Sequence, residues 1–348
     1  MIRDLSDPAS GAHAVQLLLD EILAALPVAD VRVRRDPPDV SIDDNYTALG
    51  YPPDAVTRDA RYTRYTTEGR MLRSHTTAMV PPALRLLGAT DDWDDVVLAC
   101  VGVVHRRDAV DRVHSGTPHQ LDLWRISHHE ASLDELVGAV LAAAVPGLPH
   151  RATPATHPYT TAGRQVDVLV DGRWLEVAEC GVAARHVLDR ARLPREVRGL
   201  ALGLGLDRLL MLRKGVPDIR LLRSTEPRVA AQMLDLAPYR PVSRHPAITR
   251  DLSVAVAADA DAETLGDAVR AVVGDLAEEV LVVGETPVAG LPPAAVARLG
   301  ARPDQKNVLL RLVLRHPTRT LTDEEANAAR DAAHAAVHEG DQPLTSLR

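Results

Sequence analysis

Apolar and polar positions alternate along this chain in two different rhythms, and the change between them marks its organisation. From residue 12 to residue 26 apolar residues recur at helical spacing, interrupted by Asp20 and Glu21, which predicts an amphipathic helix rather than a signal peptide. Residues 30–70 are rich in proline, aspartate and arginine, and predict irregular structure with short strands. Val96 to Val104 is an unbroken valine-rich run, the pattern of a buried strand, and His119 to Ile126 alternates as a second strand. Val166–Val170 and Trp174–Val177 flank Asp171-Gly172 and predict a hairpin. Leu200 to Arg213 opens with spaced glycines and becomes a helix stopped by Gly215 and Pro217.

Between Ser224 and Pro246 prolines and charges replace the periodic apolar residues, which predicts a boundary. Beyond it the pattern gives a strand at Leu252–Val256, a helix at Ala262–Val273, strands at Glu279–Val283 and Val308–Leu314, and a helix at Thr322–Val337. Thr322 followed by Glu325 is a capping box for that last helix. This order suggests a small ferredoxin-like sandwich. The fold class expected is therefore α+β.

Composition narrows the classes of function. Apolar residues make up 46% of the 348, enough for buried cores, which excludes a disordered chain. No apolar run reaches the roughly 18 residues of a membrane span, so no membrane partner is expected. Cys100 and Cys180 stand in no paired motif, which argues against a disulfide scaffold or a cysteine zinc site and fits a reducing, cytoplasmic setting. A formal charge of -8 argues against a non-specific nucleic-acid coat, though not against one shaped RNA site. Only two of the 40 basic residues are lysines, and phenylalanine is absent. A chain without phenylalanine can be translated when charged phenylalanyl-tRNA is scarce.

Three constellations carry candidate chemistry. Arg106-Arg107-Asp108 follows the apolar strand, with His114 and then His119-Gln120-Leu121-Asp122 on the return strand. Two strands joined by a polar loop can hold a guanidinium fork against a phosphate, although a solvated loop fits the same residues. Gly203-Leu204-Gly205-Leu206-Asp207-Arg208 lets backbone approach a ligand closely, but it lacks the third glycine and the setting of a dinucleotide site. Met71 to Thr77 reads by itself as a polar turn. The 14 histidines form no metal-binding spacing, and His128-His129 is expected to be exposed.

Taken in this order, the pieces resemble phenylalanyl-tRNA synthetase of class II, in its single-chain, organelle-type form, over residues 40–348. The resemblance rests on DDNY (Asp43–Tyr46), MLRSHTT (Met71–Thr77), VHRRDAVDRVHS (Val104–Ser115), HQLD (His119–Asp122), WLEV (Trp174–Val177), GLGLDRLLMLRKGVPDIRLL (Gly203–Leu222) and YRPVSRHPAITRDLS (Tyr239–Ser253). TRTLTDEEANAAR (Thr318–Arg330) is similar to the family's final helix. The resemblance implies an antiparallel class II catalytic domain over residues 1–235 and a ferredoxin-fold anticodon-binding domain over residues 239–348.

It also implies roles. Arg106 matches the arginine that grips the α-phosphate, Arg208 the one near adenine and the γ-phosphate, and Glu176 a carboxylate for ATP and Mg2+. Asp108 and His114 fall in the ATP-binding group. Gln120 and Asp122 match the pair that orients the substrate amino group, where the family usually has glutamate in place of Asp122. His75, Thr77, His157, Tyr159, Ala201 and Gly203 fall in the amino-acid site. The implied activity is ATP-dependent activation of phenylalanine or a close aromatic analogue and its transfer to tRNA, by a monomer or homodimer. The alternative is a synthetase-derived ligase or amino-acid sensor that does not charge tRNA; in its favour, residues 239–348 carry 12 basic and 16 acidic side chains. The chain departs from the family at Pro118, His157, Tyr159 and Leu202, where the family has phenylalanine, and at Glu179, where it has glycine.

Overall fold

A computed structural model describes residues 2–60, 62–90, 92–106 and 112–342. They fall into two compact units that divide between Arg240 and Pro241. No helix among the described residues is long and apolar enough to cross a membrane.

In the first unit, helix α1 (Ala14–Ala24) precedes strands β1 (Asp30–Arg34) and β2 (Asp39–Ser41), the short helix α2 (Ile42–Asn45), strands β3 (Arg64–Tyr65) and β4 (Arg70–Leu72), and helix α3 (Val80–Leu87). Next come β5 (Asp95–Val103), β6 (His119–Ser127), α4 (Leu133–Ala144), β7 (His150–Pro154), β8 (Thr160–Val170), β9 (Arg173–Ala183), α5 (Arg185–Arg190), β10 (Arg198–Gly205), α6 (Leu206–Lys214) and α7 (Pro227–Ala231). Seven strands form one sheet in the order β1-β5-β6-β10-β9-β8-β7, antiparallel except where β1 runs parallel to β5. The proline-rich stretch of residues 30–70 supplies its edge strand and a separate sheet of β2, β4 and β3.

Local chemistry explains these elements. The valine run of β5 is buried along nearly its whole length, as a central strand covered on both faces must be. The β8–β9 hairpin turns at Asp171 and Gly172, both at positive φ (49° and 74°), the geometry of a two-residue turn matched to strand twist. Helix α6 ends at Gly215 in the left-handed region (φ 66°), with Arg213 and Lys214 complementing its C-terminal dipole. Lys214 is 1% exposed and donates to the carbonyls of Asp235 and Ala237 and to the Asp235 carboxylate, which ties the end of the unit down. Helices α3, α4 and α5 and strand β7 are additions to the periodicity reading. In α3, Pro81 and Pro82 sit in the first turn, where their missing N–H groups are harmless, so a sequence resembling a turn is helical.

The second unit contains β11 (Ile248–Ala257), α8 (Ala262–Val273), β12 (Ala277–Pro287), α9 (Pro293–Leu299), β13 (Gln305–Leu314) and α10 (Asp323–Val337). Its sheet has the order β11-β13-β12, all antiparallel. Alternate residues of β11 and β13, Leu252, Val254 and Val256 with Val308, Leu310 and Leu312, pack with Val269 of α8 and Ala329 and Ala333 of α10 into a core of its own. The Thr322–Glu325 capping box forms as the sequence predicts.

Candidate active site

One face of the large sheet opens into a cavity of about 550 Å³. Arg106, His114, Gln120, Asp122, Glu176, Gly203 and Arg208 line it together with His75, Thr77 and Tyr159, although they are scattered over more than a hundred residues of sequence. Asp108 lies outside the described residues. Two further candidates are not on the wall. Ala201 is 2% exposed and belongs to the core beneath Trp124. His157 is turned under Tyr159, its ring stacked at 5.7 Å, with Nδ1 bonded to the Thr160 hydroxyl and Nε2 3.3 Å from the Glu179 carboxylate.

The arginines are held by backbone. Arg106 leaves the end of β5, and its Nε donates to the carbonyl of Ser74 at 2.9 Å. This bond orients the planar fork without neutralising it. Arg208 stands in the first turn of α6 and donates to the carbonyl of Glu176 at 2.7 Å. The turn carrying Ser74 is anchored in its own right. Arg73, 2% exposed, donates to the carbonyls of Val103 and Asp36. The stretch that reads as a polar turn is thus pinned beneath the cavity.

A β-bulge decides which carboxylates meet. Asp167 pairs with Glu176, but Val166 pairs with Ala178, so Val177 is an extra residue in β9. Residues three apart on a regular strand face opposite ways; the bulge turns Glu176 and Glu179 to the same face, and both line the cavity. Burial and the nearby Glu179 raise the Glu176 carboxyl, with Arg208 opposing. The Glu179 carboxyl is held below its ordinary value, chiefly by the His157 imidazole beside it.

The amino-acid end is polar as well as aromatic. Thr76 and Thr77 hydroxyls donate to Asp122 Oδ2 at 2.9 and 3.0 Å, and the Thr76 N–H donates to Gln120 Oε1 at 3.3 Å. His75 stacks on Tyr51 at 5.8 Å; burial, then Arg106, pushes it down to about 3, so it is neutral. Tyr159 lies against Trp124 and Tyr51 at 6.2 and 6.3 Å.

Burial raises the Asp122 carboxyl from 3.8 to about 6, against the lowering effect of the threonine hydroxyls. Its folded value lies above its unfolded one, so the folded chain holds a proton between them and stability falls as pH rises through that window. Asp122→Asn is therefore expected to raise the melting temperature at pH 7, and to lose that advantage at pH 3.5. Thermal melts at the two pH values check this; an equal gain at both would point to packing instead.

Sequence reading missed a hydrogen-bonded layer in the cavity wall, built on His119 and Asp207. His119 Nε2 accepts from the Leu5 N–H at 2.9 Å, so Nδ1 carries the proton that it donates to Asp207 Oδ1 at 2.7 Å. Arg223 donates to the Arg3 and Thr117 carbonyls. The N-terminal segment thereby braces the neighbours of Gln120 and Arg208. The adjacency of His119 to Gln120 and of Asp207 to Arg208 was the signal available in the sequence; nothing in it pointed to Leu5.

Two anchored arginines, a carboxylate beside them and an amide–carboxylate pair at the far end suit the joining of a carboxylate substrate to a nucleotide. Comparison agrees with this class. Residues 5–233 match the family model of the tRNA synthetases class II core domain (F). The chain is 33% identical over 237 residues to the phenylalanine–tRNA ligase alpha subunit of Prochlorococcus marinus (strain MIT 9313), covering 66% of this chain and 69% of that protein. It is 36% identical over 192 residues to the alpha subunit of Prochlorococcus marinus (strain NATL2A), covering 54% of this chain and 56% of that protein. It is 25% identical over 354 residues to the probable mitochondrial phenylalanine–tRNA ligase of Drosophila melanogaster, covering 83% and 73%. The chain belongs to the class II aminoacyl-tRNA synthetases and, within them, to the phenylalanine–tRNA ligase family.

Proposed function

We propose that the protein activates phenylalanine or a close aromatic analogue with ATP and passes the aminoacyl group to tRNA. The observation that carries this reading is the convergence of Arg106, Arg208, Glu176, Gln120 and Asp122 on one cavity. The amino-acid carboxylate attacks the α-phosphorus, a new P–O bond forms, and pyrophosphate leaves with the broken bond's electron pair. Arg106 and Arg208 stabilise charge growing on the phosphoryl oxygens, and Gln120 with Asp122 fixes which end of the amino acid enters. A tRNA ribose hydroxyl then attacks the acyl carbon and releases AMP.

Mg2+ fits Glu176, a carboxylate oxygen donor on the cavity wall with a second carboxylate, Glu179, lining the same cavity. Among the described residues no group of three or more potential ligands is gathered for a metal; an ion at Glu176 would be held by that carboxylate plus substrate phosphates. Bound there, Mg2+ would offset phosphate charge.

Residues 239–348 are proposed to contact the anticodon. Their compact core and the likeness to a mitochondrial ligase along most of the chain favour charging of tRNA over a ligase or sensor that never meets it. Cytoplasmic placement is proposed from the free, buried Cys100 and Cys180. A monomer or homodimer is proposed from the single-chain likeness, whereas relatives named alpha subunits make a partner chain the competing arrangement; light scattering of the purified protein distinguishes them. Pyrophosphate exchange with aromatic amino acids, with and without tRNA, tests the activity as a whole.

The pocket wall bears on the analogue preferred. Neither the Tyr51 nor the Tyr159 hydroxyl has a hydrogen-bond partner among the described residues, and both tyrosines line the cavity. Tyr159→Phe is expected to shift the ratio of kcat/KM for phenylalanine over tyrosine toward phenylalanine by roughly 10-fold or more. An unmoved ratio would mean that the hydroxyl does not face the substrate ring.

A further inference from the structure

Asp122 is poorly placed to take a substrate ammonium by itself. It is a short side chain, 4% exposed, and its Oδ2 already accepts two threonine hydroxyls. Only Oδ1 remains to face a ligand. Across the cavity stands a longer carboxylate. Gly203 pairs with Asp122 on one side and with Glu179 on the other, so the three residues form a single row over β6, β10 and β9. Neighbouring strands lie about 4.8 Å apart, which puts the two acidic residues' backbones roughly 10 Å from each other. Gly203 carries no side chain, and the Asp122 carboxylate leans over it: a Cβ there would touch both Asp122 oxygens at 3.7 Å. Both carboxylates and the glycine between them line the same cavity.

Glu179 is held in position for this. Its side chain is 45% exposed, in the cavity that it lines, and the His157 ring approaches one carboxylate oxygen to 3.3 Å. His157 is itself fixed by Thr160 and by stacking on Tyr159. We propose that Glu179 and Asp122 hold the α-ammonium of the amino acid between them over Gly203, with Glu179 as the long arm. Gln120 Oε1, Asp122 Oδ1 and Glu179 then give three acceptors for the three N–H donors of an ammonium group.

The inference rests on the proposed amino-acid activation, and its test separates the two. In pyrophosphate exchange by the full chain, Glu179→Gln is expected to raise the KM for phenylalanine roughly 10- to 100-fold, the usual loss of a charged hydrogen bond, with the KM for ATP nearly unchanged. Tyrosine should suffer equally, since it shares the ammonium. Combining Glu179→Gly with Asp122→Glu should restore the KM to within roughly 5-fold of wild type, while His157→Gln, which keeps the carboxylate, should have a much smaller effect. An unchanged KM in Glu179→Gln, a loss confined to ring-hydroxylated substrates, or a rise in the KM for ATP instead would each overturn the assignment. A wild type that exchanges with no amino acid would sink the activation reading and not the ammonium site. Calorimetric binding of phenylalaninol, which has the ammonium but no carboxylate, then decides: equal affinity for wild type and Glu179→Gln overturns the site.

Discussion

Arg106→Ala is expected to slow adenylate formation by on the order of 10²–10³-fold, and Arg208→Ala by a similar factor. The argument is geometric. Each guanidinium is anchored through one donor to a main-chain carbonyl, Arg106 to Ser74 and Arg208 to Glu176, and each lines the cavity where the phosphates would lie. A fixed donor aimed at developing charge needs no reorganisation during the reaction, and its removal is felt in the rate more than in binding. Lysine should rescue either position poorly. Its ammonium is a single point of charge on a flexible stem, and at Arg106 it cannot donate to Ser74 and face the phosphate as a planar fork does. Single-turnover formation of the adenylate provides the measurement. Normal rates in Arg106→Ala would remove it from the phosphate site.

Truncation after Arg240 is expected to abolish tRNA charging and to spare pyrophosphate exchange. The two units have separate cores, and Lys214 closes the first on Asp235 and Ala237, all of which such a truncation keeps. The catalytic cavity is lined wholly by residues of the first unit. Exchange needs only that cavity, whereas charging needs the tRNA to be held as well. A truncated protein that charges tRNA at the full rate would show that the second unit does other work.

The candidate site was legible in the sequence to the extent that it is built from contiguous motifs. Arg106, Gln120, Asp122 and Arg208 each sit in a short stretch whose order along the chain carried the resemblance, and the cavity gathers all four. His157 and Ala201 entered the same site through their neighbours in sequence, yet neither reaches the wall. Ala201 faces the same side of β10 as Gly203, two residues on, but is covered by its core neighbours, and a ring can turn beneath the one beside it, so proximity along the chain does not settle which side chain meets a ligand.

By itself the sequence determined the things that depend on local chemistry. The valine run had to be a buried strand, Asp171-Gly172 had to be a tight hairpin turn, Gly215 had to end a helix, and Thr322 with Glu325 had to begin one. These follow from side-chain shape and backbone freedom within a few residues, which no distant contact needs to supply. The tertiary structure decided what depends on register. One extra residue at Val177 turns Glu176 and Glu179 to a common face, and the pairing of Gly203 with strands on both sides sets Asp122 and Glu179 opposite each other. It also brought Leu5 to His119, 114 residues away in the chain. Hydrogen-bond pairing between strands is a property of partners far apart in the chain, and shifting it by a single residue would send each of these side chains to the other face.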